Sequence, residues 1–174
     1  MKKENKQNLY SIWFIIGLIM MIWQVDIYRV TIIELWIPIF IIISSGTLAF
    51  LFDFRNYVRI FTVSGIYLYI YSAVFYIVGC GFIVCSMFMI SNYHISTQQS
   101  IYESYKIIEK TSLPGRRRHR AEKQLLVKIK YDNILKEMVF NHYHYKNREL
   151  YDSVEVEIRN GLFGFDVFYE TKLK

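Results

Sequence analysis

Two histidines, His142 and His144, are separated by one residue, which is a spacing that could hold a metal ion. We place both imidazoles on one face of a strand, because the segment ILKEMVFNHYHY reads as the return strand of a hairpin. Zinc, however, needs a third and a fourth ligand. His94 and His119 are far away in sequence, and no CxxC or HExxH motif accompanies the pair. We therefore predict no metal site and interpret the histidines as the polar face of a strand.

Motifs for nucleophilic or phosphate chemistry are also missing from the sequence. Neither a GxSxG motif nor a P-loop occurs. Gly161 and Gly164, in the segment NGLFGFD, indicate a turn with a bulge and not a phosphate-binding loop. We therefore expect no catalytic residue, no cofactor and no enzymatic activity. If an unrecognised active site did exist, His142 and His144 would be its first candidates.

The segment GRRRHR is the most distinctive polar feature of the chain. It contains Arg116, Arg117, Arg118 and Arg120. From residue 92 onward there are 15 Lys and Arg against 11 Asp and Glu, a net charge of +4. The cluster could be a solvated loop, or it could contact anionic lipid headgroups at about 1 kcal/mol per residue. It could also bind an acidic patch on a partner protein. Nucleic acid is not an expected partner, because no recognised binding module is present.

Long apolar stretches dominate the first half of the chain and predict that it is embedded in a membrane. The stretches cover about residues 9–24, 30–52 and 60–91. A helix needs about 20 residues to cross the hydrocarbon core, so we predict three transmembrane helices in a membrane domain of residues 1–91. The segment DFRNYVR is interpreted as the turn between the second and third helices. This assignment leaves no charge at mid-depth in any span, which argues against an ion path.

Small residues recur every seven positions in the third stretch. They are Gly65, Ser72, Gly79 and Ser86. A repeat of seven keeps side chains on one helical face, and small side chains let helix backbones approach closely in lipid. This helix-packing seam could pack against the other spans of the same chain or against another subunit.

The second half, residues 92–174, has the pattern of a small antiparallel all-β domain of four to five strands. The segments QLLVKIKY and SVEVEIR alternate with period two. Asp132-Asn133 and Asn160-Gly161 are typical of tight hairpin turns, because their residues tolerate positive φ. The segment KNRELYDS is interpreted as a loop or a single helical turn, and residues 100–112 are mixed.

The short loops predict the orientation of the chain in a membrane. Positive residues flank the spans as follows: Lys2, Lys3 and Lys6 before the first, Arg29 after it, and Arg55 and Arg59 between the second and third. Because cytoplasmic loops carry the excess of Lys and Arg, we expect the N-terminus in the cytoplasm. Three spans then place the C-terminal domain on the periplasmic or extracellular side.

This plan of a few spans followed by a small exported β-domain is similar to that of accessory subunits of bacterial envelope machines. It also resembles membrane-embedded immunity proteins that protect bacteria from toxins. The likeness is architectural, and no motif transfers functional residues. The lack of catalytic and transport residues, the packing seam and the basic, aromatic exported domain together predict a non-enzymatic binding protein of the bacterial inner membrane. Its most concrete form is an immunity protein against a membrane-acting toxin. The alternatives are a structural subunit of an envelope secretion or transport complex, and an unrecognised membrane enzyme.

Overall fold

The computed structural model describes residues 3–61, 65–97, 99–114, 122–132 and 134–174. It contains long apolar helices and a five-stranded antiparallel sheet at the C-terminus, which confirms the predicted fold class. Two compact units are present. The helical unit comprises Met1–Tyr28 and Ile33–Ser91, and the sheet unit comprises Arg29–Ile32 and Asn92–Lys174.

The helical unit is built from three membrane-length helical segments. Helix α1 covers Lys3–Val30 and helix α2 covers Trp36–Ile60. The third segment consists of α3 (Ile66–Tyr76), a π-helical turn (Ile77–Gly81) and α4 (Phe82–His94). In the part of the chain that the structure describes, these three segments are long and apolar enough to cross a membrane.

The predicted turn at residues 53–59 is wrong. Helix α2 continues through DFRNYVR and ends at Ile60. This segment contains neither Gly nor Pro, so nothing in it breaks the helix. Its charges therefore belong to the last turns of α2. A helix break follows at Phe61, which has extended backbone angles, and Gly65 has a positive φ of 71° just before α3.

Glycines allow the three helical segments to approach closely around the π-helical turn. A Cβ atom added to Gly17 would lie 2.4 Å from a backbone oxygen on the third segment, and one on Gly46 would lie 2.7 Å from a backbone Cα there. The tight pairs are Gly17 with Val78, Gly46 with Ile77, and Gly81 with Ile42. In lipid, helices associate through close packing of this kind. Lipid tails are as apolar as the side chains, so the hydrophobic effect does not drive the association.

The sheet unit has five strands in the spatial order β3-β2-β1-β4-β5. They are β1 (Ser100–Leu113), β2 (Gln124–Tyr131), β3 (Ile134–Phe140), β4 (Ser153–Asn160) and β5 (Asp166–Leu173). Alternate residues of β2 and β4 form most of the core, as their period-two pattern predicts. The fully buried members are Leu125, Val127, Ile129, Val154 and Val156.

The central strand β1 covers residues 100–112, whose apolar and polar residues do not alternate regularly in the sequence. A register shift between Ile107 and Glu109 explains this appearance. The shift is a β-bulge, which places residues 107 and 110 opposite the core positions Ile129 and Val127. The alternation of side chains therefore changes phase in the middle of the strand.

The edges of the curled sheet are joined by the short segment that contains Thr31 and Ile32. Thr31 forms an antiparallel bridge with Val167 of β5, and the Ile32 amide donates to the Asp166 carbonyl at 2.7 Å. Lys136, on the other edge strand β3, donates from Nζ to the Thr31 carbonyl at 2.6 Å. Edge strands expose unpaired backbone groups, and this segment pairs with part of the β5 edge while a side chain of the β3 edge contacts it.

Of the two predicted tight turns, one was placed correctly and one is longer than expected. Tyr131 pairs with Ile134, and Asp132 has a φ of 50°, while Asn133 lies outside the described residues. The predicted two-residue turn at Asn160-Gly161 is wrong, because residue 160 pairs with residue 166 and five residues connect β4 to β5. Gly164 supplies the positive φ in this loop, at 82°.

The two histidines do not lie on a strand, so that prediction is wrong as well. Strand β3 ends at Phe140, and His142–Lys146 form a short helix, α5. The side chain of Asn141 accepts a hydrogen bond from the His142 amide at 2.7 Å, which caps the helix. A single 3₁₀ turn follows at Arg148–Leu150.

Candidate functional site

Three residues of the predicted seam are buried inside the helical unit. Ser72, Gly79 and Ser86 are buried, whereas Gly65 is exposed and its Cβ position meets nothing within 4 Å. The Ser86 hydroxyl donates to Gln24 Oε1 of α1 at 2.9 Å. These contacts lie within the chain itself.

The tightest small-residue contact in this region involves Gly17, which is not part of the seam. Gly79 has room for a side chain, since its Cβ position is 3.8 Å from the nearest atom, Phe14 Cα. At Gly17 the equivalent distances are 2.4 Å to the Val78 oxygen and 2.8 Å to the Gly79 oxygen. The glycine that packs closest to the third segment is therefore Gly17 of α1, which sequence periodicity did not indicate.

The predicted contact residues Arg116, Arg117, Arg118 and Arg120 lie outside the described residues. The described residues on either side of them end β1 and begin β2. At this end of the sheet there is a groove of about 390 Å³. Its lining consists of Lys110, Thr111, Ser112, Tyr145, Arg148 and Glu149. We call it the basic groove.

The basic groove concentrates positive charge around the ring of Tyr145. The Arg148 guanidinium lies 4.8 Å from the ring centroid, and the Lys123 ammonium lies 5.9 Å from it. Burial by itself would raise the pKa of Tyr145. A hydrogen bond from Ser112 and the charges of Arg148 and Lys123 outweigh that effect and lower the pKa. A negative charge is therefore favoured at this position.

The groove contains three side chains that can donate hydrogen bonds, and two of them already face a carboxylate of the chain. Thr111 Oγ1 is buried and, among the described residues, has no hydrogen-bond partner. Lys110 is 3.8 Å from Asp152, and Arg148 donates to Glu149 at 2.9 Å. Ammonium, guanidinium and hydroxyl groups together match the acceptors of a carboxylate or phosphate.

The histidines of α5 form local contacts near this groove. His142 Nδ1 lies 2.6 Å from Asn141 Oδ1, and His144 Nδ1 lies 3.1 Å from the Tyr151 hydroxyl. Within the described ranges, no group of three or more His, Cys, Asp and Glu side chains could hold a metal ion.

A half-buried carboxylate cluster in the helical unit was missed by sequence reasoning. Asp53 of α2 accepts hydrogen bonds from Tyr10 of α1, from Tyr76 of α3 at 2.7 Å, and from Asn56 at 2.7 Å. The sequence pattern predicts that this aspartate lies in a turn and that the spans carry no charge at mid-depth. The missed signal was the absence of any helix-breaking residue between Phe52 and Ile60.

No protein-family model, no curated protein and no solved structure matches this chain. The fold itself defines the class of protein: a multi-pass membrane protein with three apolar helical segments and a five-stranded antiparallel sheet unit.

Proposed function

We propose that this protein is a non-enzymatic binding protein of the bacterial inner membrane, and that the basic end of its sheet unit binds an acidic protein partner. The basic groove carries this proposal. It brings Lys110 and Arg148 together with Tyr145, and the Lys123 ammonium also lies 5.9 Å from the centroid of the Tyr145 ring.

Charge supports a protein partner with a negative surface. The chain from residue 92 onward has a net charge of +4, and five of its cations lie within the sequence 116–123. Complementary charge steers a partner to one orientation and excludes partners of like charge. Tyrosine and arginine are also the residue types most often found at the centre of binding interfaces.

The cellular setting of this proposal follows from the distribution of charge along the chain. The N-terminus is cytoplasmic, and the sheet unit lies in the periplasm or outside the cell. The most concrete partner is then a toxin that attacks the membrane from outside, which makes this chain an immunity protein. Membrane anchoring would hold the basic groove at the surface that such a toxin has to reach.

Site-specific photo-crosslinking in growing cells tests the binding surface. A benzophenone amino acid replaces Tyr145 in the groove, and the control carries it at Tyr143, which lies on the same helix with 71% of its surface exposed. We expect a discrete crosslinked protein from position 145. The charge reversals Lys110→Glu and Arg148→Glu should abolish it, whereas Lys172→Glu on β5 should not.

The captured protein then has to bind the purified full-length chain with an affinity that falls as salt rises. A charge-reversed partner should restore binding to Arg148→Glu. Equal crosslinking from positions 143 and 145, or products insensitive to the charge reversals, would contradict the proposal. The immunity form requires in addition that deleting the gene sensitises cells to the captured toxin.

A further inference from the structure

We propose that a cavity in the helical unit, next to Asp53, binds the amine or quaternary ammonium group of a lipophilic molecule. The cavity has a volume of about 370 Å³, within the range of small-molecule sites. Its lining includes the carboxylate of Asp53 and the aromatic rings of Tyr10, Trp13, Phe52, Phe75 and Tyr76. This site is separate from the basic groove and does not depend on the function proposed for it.

The carboxylate is held in place as a hydrogen-bond acceptor. Tyr10 and Tyr76 both donate to Asp53 Oδ2, and Asn56 donates to Oδ1. An ionised carboxylate has about four acceptor positions, so these three hydrogen bonds leave one open. Tyrosines of α1 and α3 thereby hold the side chain of Asp53 on α2 in place, as expected for a preformed site.

Among the residues that the structure describes, no cationic side chain pairs with the negative charge of Asp53. Within the described part of the chain, Asp53 forms no ion pair with Lys, Arg or His at 4.0 Å or less. A charge in a membrane-spanning segment normally pairs with another group, because isolated charges are costly there. A bound cation would supply the missing counter-charge.

The aromatic lining specifies what kind of cation fits. Faces of Trp, Tyr and Phe attract ammonium groups, and five residues of these types line the cavity. The side chain of Phe52 is 86% exposed and that of Trp13 is 48% exposed, so the cavity opens at the surface of the helical unit. A ligand with an apolar body can enter there, whereas a hydrated metal ion would find few oxygen ligands.

Equilibrium binding of radiolabelled benzyltrimethylammonium to the purified full-length protein in maltoside detergent tests the proposal. The neutral isostere neopentylbenzene is the matched competitor without charge. We expect saturable binding of one cation per chain that the isostere does not displace. Asp53→Asn should weaken binding at least tenfold, and Trp13→Leu should weaken it as well.

Glu34→Gln is the control, because this acidic residue precedes α2 and does not line the cavity. The affinity of the Glu34→Gln variant for benzyltrimethylammonium should equal that of the wild type. Unchanged binding in both Asp53→Asn and Trp13→Leu, or equally strong binding of the neutral isostere, would overturn the proposal. Trp13→Leu leaves the Asp53 hydrogen bonds intact, so the test survives if Asp53→Asn does not fold.

A lipid headgroup and a diffusible amine share this ammonium chemistry, and competition distinguishes them. If phosphatidylethanolamine displaces the probe and phosphatidylglycerol does not, a lipid headgroup is the source of the cation. If neither lipid displaces a probe whose binding requires Asp53, the site takes a diffusible lipophilic cation. Displacement by phosphatidylglycerol alone, which carries no ammonium group, would contradict the proposed chemistry.

Discussion

The ammonium group of Lys136 donates a hydrogen bond to the backbone carbonyl of Thr31 at 2.6 Å. Lys136 belongs to the edge strand β3, and Thr31 bridges to Val167 on the opposite edge strand β5. Through this bond a side chain on one edge holds the segment that pairs with the other edge. Closure of the curled sheet thus depends on a buried lysine.

Stability of the sheet unit should depend on pH through Lys136. Burial lowers the pKa of this lysine from 10.5 to about 8. Between these values the unfolded chain binds more protons than the folded one, so the free energy of unfolding rises with pH. The gain from pH 7.5 to pH 9.5 is at most about 2 kcal/mol. Lys136→Met should remove it.

Chemical unfolding of the full-length protein in detergent at the two pH values measures this effect. Lys172→Met serves as the control, because Lys172 is exposed on β5 and pairs with Glu170 at 3.1 Å. Identical pH dependence in the wild type and Lys136→Met would show that the lysine does not titrate as described.

Helix packing should tolerate an added methyl group at Gly79 but not at Gly17. Gly17→Ala places a Cβ atom 2.4 Å from the backbone oxygen of Val78, which cannot move without shifting the helix. Gly79→Ala meets nothing closer than 3.8 Å. We expect Gly17→Ala to destabilise the helical unit by about 1–3 kcal/mol, measured by thermal unfolding in detergent. Equal destabilisation by Gly79→Ala would refute the packing described for α1.

A reciprocal fit between Asn92 and Gly161 should appear as strong coupling in a double-mutant cycle. Asn92 donates to the Phe165 carbonyl and accepts from the Phe163 amide, both at 3.0 Å. A Cβ atom on Gly161 would lie 2.4 Å from the Asn92 side chain. Each of Asn92→Ala and Gly161→Ala should cost about 1–3 kcal/mol.

Gly161→Ala should lower the free energy of unfolding much less in the Asn92→Ala background than in the wild type. Asn92→Ala vacates the space that the new methyl group needs. The free energies of unfolding of both single variants and the double variant, measured by denaturant titration, give the coupling. Additive effects would mean that the two positions do not interact.

The fold class could be predicted from the sequence because each environment imposes a simple residue pattern. A lipid bilayer requires long uncharged stretches, and a sheet with one buried face requires alternating apolar and polar residues. Long uncharged stretches had to be helices, and alternation in SVEVEIR had to place Val154, Val156 and Ile158 on one face. Strand β1 escaped detection because its bulge after Ile107 reverses that alternation. The pattern of His142 and His144 suggested a strand, whereas the Asn141 cap begins a helix there.

The candidate sites were harder to predict because they depend on contacts between distant segments. Arg116 and its neighbours were the predicted contact residues and lie outside the described residues, whereas Tyr145 and Arg148 join the basic groove only through the fold. Asp53 was missed because the segment DFRNYVR is assigned from sequence to a turn between two spans. Its tyrosine partners, Tyr10 and Tyr76, lie 43 and 23 residues away.

The side of the membrane on which the sheet unit lies tests the central claim most directly. Alkaline phosphatase and a fluorescent protein that matures only in the cytoplasm are fused separately to Lys174. An exported binding domain predicts active phosphatase and a dark fluorescent protein. Inactive phosphatase with bright fluorescence would place the basic groove in the cytoplasm and contradict the proposed binding of an external partner.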